Sequence, residues 1–189
     1  MARQASVVRE ADPSDAAELL LLWASVAPGT ETGERATAEA ERALANLAAE
    51  PDERLLVVED DGRVVAALHL QRGPITPLSL EPAVHTSYLL VQPECRRQGY
   101  GHLLMDAAVT WAEEKDVAQV TAVTDGHREN NRFLARLGLA TVATVRLTST
   151  AALRKRLTSE RAATSRPGNR HLVEVLAARR HARRRQAAG

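Results

Sequence analysis

One cysteine, Cys95, stands in a chain of 189 residues, so no intrachain disulfide can form and no cysteine set exists to hold zinc. The six histidines show no metal-ligand spacing, and no metal is expected. Aromatic residues make up only 3%, which leaves Leu, Val and Ala to fill the core that a chain of this length can bury. No apolar run approaches the roughly 18 residues of a membrane span, and Met1-Ala2-Arg3 leads into no signal-peptide core. The expectation is a soluble, cytoplasmic protein in a reducing compartment, with no membrane partner.

The tail has little negative charge, and the body before it is short of positive charge. The net charge is only +1, yet residues 1–150 carry 14 Lys/Arg against 22 Asp/Glu, while 151–189 carry 11 against 2. A basic tail behind an acidic body is expected to meet negative charge, on its own body, on a second copy of the chain in a homodimer, or on an outside polyanion. Nucleic acid is the less expected partner, because the tail has no aromatic residue on which bases could stack.

The pattern along the chain predicts alternating elements. Val7-Val8 reads as a short strand. Asp12-Pro13-Ser14-Asp15 reads as a helix start, with Asp12 as N-cap and Asp15 three residues on, feeding a helix that Pro28-Gly29 stops. A second helix is predicted over 36–50, with Ala40, Leu44 and Leu47 on one face. Residues 54–59 and 63–70 flank Asp60-Asp61-Gly62, a hairpin signal. A proline-rich loop follows over 73–82, then a central strand over 84–91. Further on, the sequence predicts a helix over 102–115, a strand over 117–124, a short helix over 129–139 closed by Gly138, and a strand over 140–147. From 148 the character changes to a capped helix near 151–157, a linker over 158–169 and a basic helix over 170–186. The domain division expected is therefore 1–148 and a basic, helical extension over 149–189.

The most informative stretch is Arg96-Arg97-Gln98-Gly99-Tyr100-Gly101, between an apolar strand and an amphipathic helix opening near His102. Glycines at alternate positions before a helix let a ligand approach the backbone, and the first helical N–H groups have no intrahelical acceptor, which suits a pyrophosphate. A dinucleotide-binding GxGxxG would need glycine at 104, where Leu104 stands. Taken as Arg-x-x-Gly-x-Gly after Leu89-Leu90-Val91-Gln92-Pro93, the stretch resembles the acetyl-CoA-binding signature of the GNAT superfamily of N-acetyltransferases, and the element order over about residues 5–148 is similar to that fold.

The resemblance implies an α/β (α+β) fold with a mixed, mostly antiparallel sheet flanked by helices, whose two central strands splay to admit pantetheine. It implies acetyl-CoA as co-substrate, an acetyl or short acyl group moved to a primary amine by direct attack, and no metal. It places backbone groups of Leu89, Leu90 and Val91 against the pantetheine arm, and the Leu89 amide at the developing oxyanion. Arg96, Arg97, Gln98, Gly99, Tyr100, Gly101 and His102 surround the pyrophosphate in that scheme. Asn130 or Asn131 either contacts the phosphopantetheine or is only a polar residue at a helix start. His85 takes the position of a base in some members, and the even spacing from Leu89 would put both side chains on one face; a histidine bonded to solvent or backbone is the other reading. The tyrosine that many members use to protonate the departing thiolate is here Leu134, so the thiolate leaves unassisted, or Tyr88 or a water supplies the proton, or the protein binds acyl-CoA as a regulatory or interaction module with little turnover. Cys95 has no base partner in the sequence to make it a nucleophile.

Overall fold

The computed structural model describes residues 6–25, 27, 29–124, 128–143 and 146–164. The fold is mixed α/β, built on one five-stranded sheet: β1 (Val7–Glu10), β2 (Glu53–Asp60), β3 (Arg63–Pro74), β4 (Pro82–Val91) and β5 (Val120–Ala122), in that spatial order. The first four pair antiparallel, and β5 lies parallel to β4. The helices are α1 (Ala16–Ala24), α2 (Glu34–Ala48), α3 (Tyr100–Glu114), α4 (Arg128–Arg136) and α5 (Thr150–Thr164). Two compact units divide the chain, residues 1–140 and 141–189, and α5 belongs to the second.

The β2–β3 hairpin turns on Asp61 and Gly62, both with positive φ, as a two-residue primed turn requires. Its alternating residues fill two layers. Leu56, Val58, Leu68, Leu70 and Val84 meet Leu104, Ala108 and Trp111 of α3 on one face. Leu55, Val57, Ala67 and Leu90 meet Leu19 and Leu22 of α1 and Leu44 of α2 on the other.

The start of α1 follows the sequence closely. Asp12 accepts from the Ser14 amide at 2.8 Å, while the Asp15 carboxylate accepts from the Asp12 amide at 2.9 Å, a reciprocal cap. Asp15 is also gripped by Arg9 of β1 through two bonds of 2.7 and 2.8 Å. With its side chain only 7% exposed, that fork holds the carboxyl below the usual aspartate range against the opposing effect of burial.

Three expectations are corrected. The strand predicted over 117–124 is only three residues long, because the chain diverges from β4 after Val123 donates to the Thr86 carbonyl. The strand predicted over 140–147 is absent from the described residues there, where Val142 and Leu147 are exposed. Alternation alone favours a strand only when a sheet edge receives it. The helix predicted near 151–157 is capped as expected, with the Ala152 amide donating to Ser149 Oγ, but it runs on to Thr164 through the supposed linker. The basic helix expected over 170–186 lies outside the described residues.

Candidate active site

Strand β4 is interrupted where the resemblance places the chemistry. Ala67 pairs with Leu90 and His69 with Ser87, so Leu68 alone faces both Tyr88 and Leu89: a β-bulge, with Tyr88 at φ +53°. The bulge breaks the alternation. His85 and Ser87 share a face with Leu90, toward α1 and α2, whereas Leu89 packs against the α3 layer. The even spacing that would set the His85 and Leu89 side chains on one face does not survive the inserted residue. Tyr88 is 58% exposed and its ring lies 5.7 Å from that of Trp23, on the α1 side.

Past Thr86 the ladder to β5 has ended. The Gln92 amide donates to the Val65 carbonyl at 2.9 Å, which makes Gln92 and Leu90 the residues bonded to β3 and turns the N–H and C=O of Val91 the other way, toward the open edge. Of the three residues expected to bond an extended ligand, Leu90 therefore does not have its backbone free to do so. Val91 does, and Leu89 sits in the bulge.

The glycine loop follows Pro93–Cys95, a 3-10 turn. Gly99, at φ +94°, is the N-cap of α3, and no side chain caps that helix end. A Cβ built on Gly99 meets nothing within 4 Å, so the space above the first amides is open. Arg96 and Arg97 flank it, and their guanidinium groups lie 3.8 and 3.7 Å from the Glu129 carboxylate of α4. Tyr100 turns inward instead: it is buried, its hydroxyl donating to Asp60 at 2.8 Å, so only its backbone remains to meet a ligand. Gln98 is exposed, with its side-chain oxygen 3.3 Å from that hydroxyl. Gly101 has a packing role that spacing did not disclose, since a Cβ there would lie 3.3 Å from the Phe133 ring of α4. His102 meets that same ring edge-on at 4.9 Å. Asn130 and Asn131 lie on the first turns of α4, beside this loop's partner Glu129.

The opposite face sets His85, the base candidate, beside groups that sequence reasoning passed over. Glu53, Gln71, His85 and Thr121 stand in register across β2, β3, β4 and β5. Gln71 donates to Glu53 at 2.7 Å, and His85 Nδ1 lies 2.8 Å from the Thr121 hydroxyl. In the adjoining row His69 Nδ1 lies 3.1 Å from Ser87 Oγ, while its Nε2 faces Glu53 at 3.7 Å. The alternation of His69 and Gln71 with Leu68 and Leu70 was the available signal. Among the described residues, no group of three or more His, Cys, Asp or Glu could hold a metal ion.

A sheet whose parallel pair diverges beside a bulge, with an uncapped glycine-led helix at its end, has a counterpart in known proteins. The family model for the acetyltransferase (GNAT) family matches residues 19–139. The chain belongs to that family. No protein of curated function matches it in sequence. Among solved structures, a transcriptional regulator from Bacillus halodurans C-125 superposes with a TM-score of 0.69 at 19% identity, covering 77% of this chain and 100% of that one. Glucosamine-6-phosphate N-acetyltransferase from Arabidopsis thaliana gives 0.65 at 16% identity, with 78% and 99% covered. Ribosomal-protein-alanine N-acetyltransferase from Brucella melitensis biovar Abortus 2308 gives 0.59 at 21% identity, with 77% and 99% covered. The protein is thus a GNAT-type acetyltransferase that uses acetyl-CoA, its acceptor unspecified. The open space over Gly99, the uncapped α3 amides and the outward backbone of Val91 fit that co-substrate. No helix among the described residues is long and apolar enough to cross a membrane.

Proposed function

We propose that this GNAT protein acetylates a primary amine by direct attack on the thioester, without an acyl-enzyme stage. The end of the β4–β5 ladder beside the Tyr88–Leu89 bulge is the observation that carries the reading, because it leaves the outward backbone of Val91 without a pairing strand and so open to an extended arm. The amides that follow Gly99, with Arg96 and Arg97, hold the pyrophosphate, and His102, Asn130 and Asn131 line the approach from α3 and α4. Val91 bonds the pantetheine arm, and the Leu89 amide faces the thioester oxygen. Bound there, acetyl-CoA supplies the activated acyl carbonyl. The Leu89 donor stabilises the charge that develops on that oxygen, an effect worth about 10²–10³-fold for one such donor. Leu134 is buried in α4 and offers no proton, so Tyr88, the hydroxyl in the bulge itself, is the acid assigned to the leaving thiolate.

His85 belongs to the acceptor's face of the sheet, together with His69, and the proton of the incoming ammonium is assigned to that face. The acidic balance of residues 1–150 favours a cationic acceptor. The basic residues of 151–189 are assigned to a homodimer contact with acidic surface; shortening the chain at 158 should convert a dimer to a monomer on sizing, and an unchanged elution size would remove that assignment.

Calorimetric titration with acetyl-CoA followed by thiol release over an amine panel tests the whole reading. Binding with amine-dependent thiol release is expected. Binding without turnover on any amine would favour an acyl-CoA-sensing role, the alternative that Leu134 invites.

A further inference from the structure

His85 is poorly directed for proton acceptance at the bulge. Its Nδ1 is engaged with Thr121, and the remaining edge of the ring leans toward Gly73, where a built Cβ would lie 3.8 Å from both Cδ2 and Nε2. Gly73 pairs with Ala83, two residues farther from the bulge than His85 itself. Ser87, by contrast, is the last residue before Tyr88, and its hydroxyl sits on His69.

We propose that Ser87, His69 and Glu53 form the path by which the acceptor's ammonium loses its first proton. The proposal rests on the acetyl-transfer reading above. Glu53, fixed by Gln71, faces Nε2 and favours the tautomer that carries hydrogen there, which leaves the Nδ1 lone pair to accept from the Ser87 hydroxyl. As the ammonium gives a proton to Ser87 Oγ, the Ser87 hydroxyl proton passes to Nδ1, and the imidazolium rests against the Glu53 carboxylate. The freed lone pair attacks the thioester carbon, the C–S bond breaks, Tyr88 gives its phenolic proton to the departing sulfur and is restored by the second nitrogen proton, and His69 returns its proton to solvent. His69 and Glu53 act through Ser87 and are positioning and proton-holding residues. Among the described residues, the ionisable groups on this face beside His69 are Glu53 of β2 and His85 of β4; α1 presents Trp23 and the Glu18 carboxylate, which accepts from the Val64 amide, and α2 presents Leu44 and Leu47.

The test has two arms. With putrescine as the amine probe, His69→Gln should lower kcat/KM by about 10²–10⁴-fold and abolish the rise of kcat/KM with pH, while acetyl-CoA affinity by calorimetry stays at the wild-type value. His85→Gln should retain the pH inflection. Loss of the inflection in His85→Gln, with His69→Gln within about threefold of wild type, far short of that range, would overturn the proposal. The second arm needs no turnover: nitrogen-15 NMR of the His69 ring in the full chain should show the neutral tautomer with hydrogen on Nε2, which is lost in Glu53→Gln and kept in the control Glu81→Gln, an exposed loop residue. A tautomer unchanged in Glu53→Gln would also overturn the proposal. Failure of the wild-type protein to bind acetyl-CoA would instead strike the acetyl-transfer reading, with the NMR arm still deciding whether the Glu53–His69 coupling exists.

Discussion

Replacing Gly99 by valine separates the two demands that the loop makes on that position. The first is conformational. At φ +94° a residue with a Cβ pays about 1–2 kcal/mol for the left-handed region, and a β-branched side chain stands at the upper end. No neighbour lies within 4 Å of the new Cβ, so no packing cost is added, and the melting temperature should fall by only about 2–8 °C. The second demand is on the ligand. The valine branches occupy the open space over the first α3 amides, where a pyrophosphate would draw up to the backbone. Losing two hydrogen bonds to a charged oxygen, at about 1.5–3 kcal/mol each, costs about 3–6 kcal/mol, or at least about 100-fold in Kd. Calorimetry with acetyl-CoA on a variant shown to be folded by circular dichroism reads this directly. Wild-type affinity in a folded Gly99→Val protein would refute the placement of the pyrophosphate, whatever happened to turnover.

Gly101 should behave differently: Gly101→Ala gains about 1 kcal/mol of helix propensity against a 3.3 Å contact and should leave the melting temperature near wild type, while Gly101→Val displaces Phe133 and should destabilise by about 1–3 kcal/mol in denaturant unfolding. Tyr100→Phe removes the bond to the Asp60 carboxylate and should cost about 1.5–3 kcal/mol while acetyl-CoA affinity is kept, because the ring faces the core; a large affinity loss in calorimetry would contradict that orientation. Asp15 titrates lower in the folded protein than in the unfolded chain, so its contribution is complete above the ordinary carboxylate pKa of about 3.9 and is lost as pH falls through the depressed folded value. Asp15→Asn should flatten the fall of melting temperature with acidity below about pH 5 and leave its slope above that unchanged.

What the sequence disclosed was local chemistry. The Asp12–Asp15 cap, the Asp61-Gly62 turn and the glycine entry to α3 each depend on residues within a few positions of one another, and all three stand in the structure. What it withheld depended on distant partners. The bulge at Tyr88 is an outcome of register between β3 and β4, and nothing in Ser87-Tyr88-Leu89 marks it. The inward turn of Tyr100 requires Asp60, forty residues earlier, and the tight fit at Gly101 requires Phe133. The His69–Ser87 contact likewise exists only once two strands pair, so nothing local to His69 marks it as part of a polar row. The missing strand over 140–147 is the converse case, a pattern with no edge in the described residues to accept it.

The Tyr88 bulge also bears on how such a chain can change over time. Up to Ser87, odd-numbered residues of β4 face α1 and α2; beyond the bulge, even-numbered ones do, so the strand is two half-strands joined out of phase. The exposed side chain at 88 is free of packing constraints, so what fixes it is the acid role assigned to its hydroxyl, whereas the number of residues there is fixed by the fold. Deleting one would restore a continuous alternation and set either Leu90 or Ser87 and His85 against the wrong layer, a fault that no single substitution repairs. Length at this point is more tightly constrained than identity, and variation along β4 is therefore expected as exchange of residues and not as loss or gain of one.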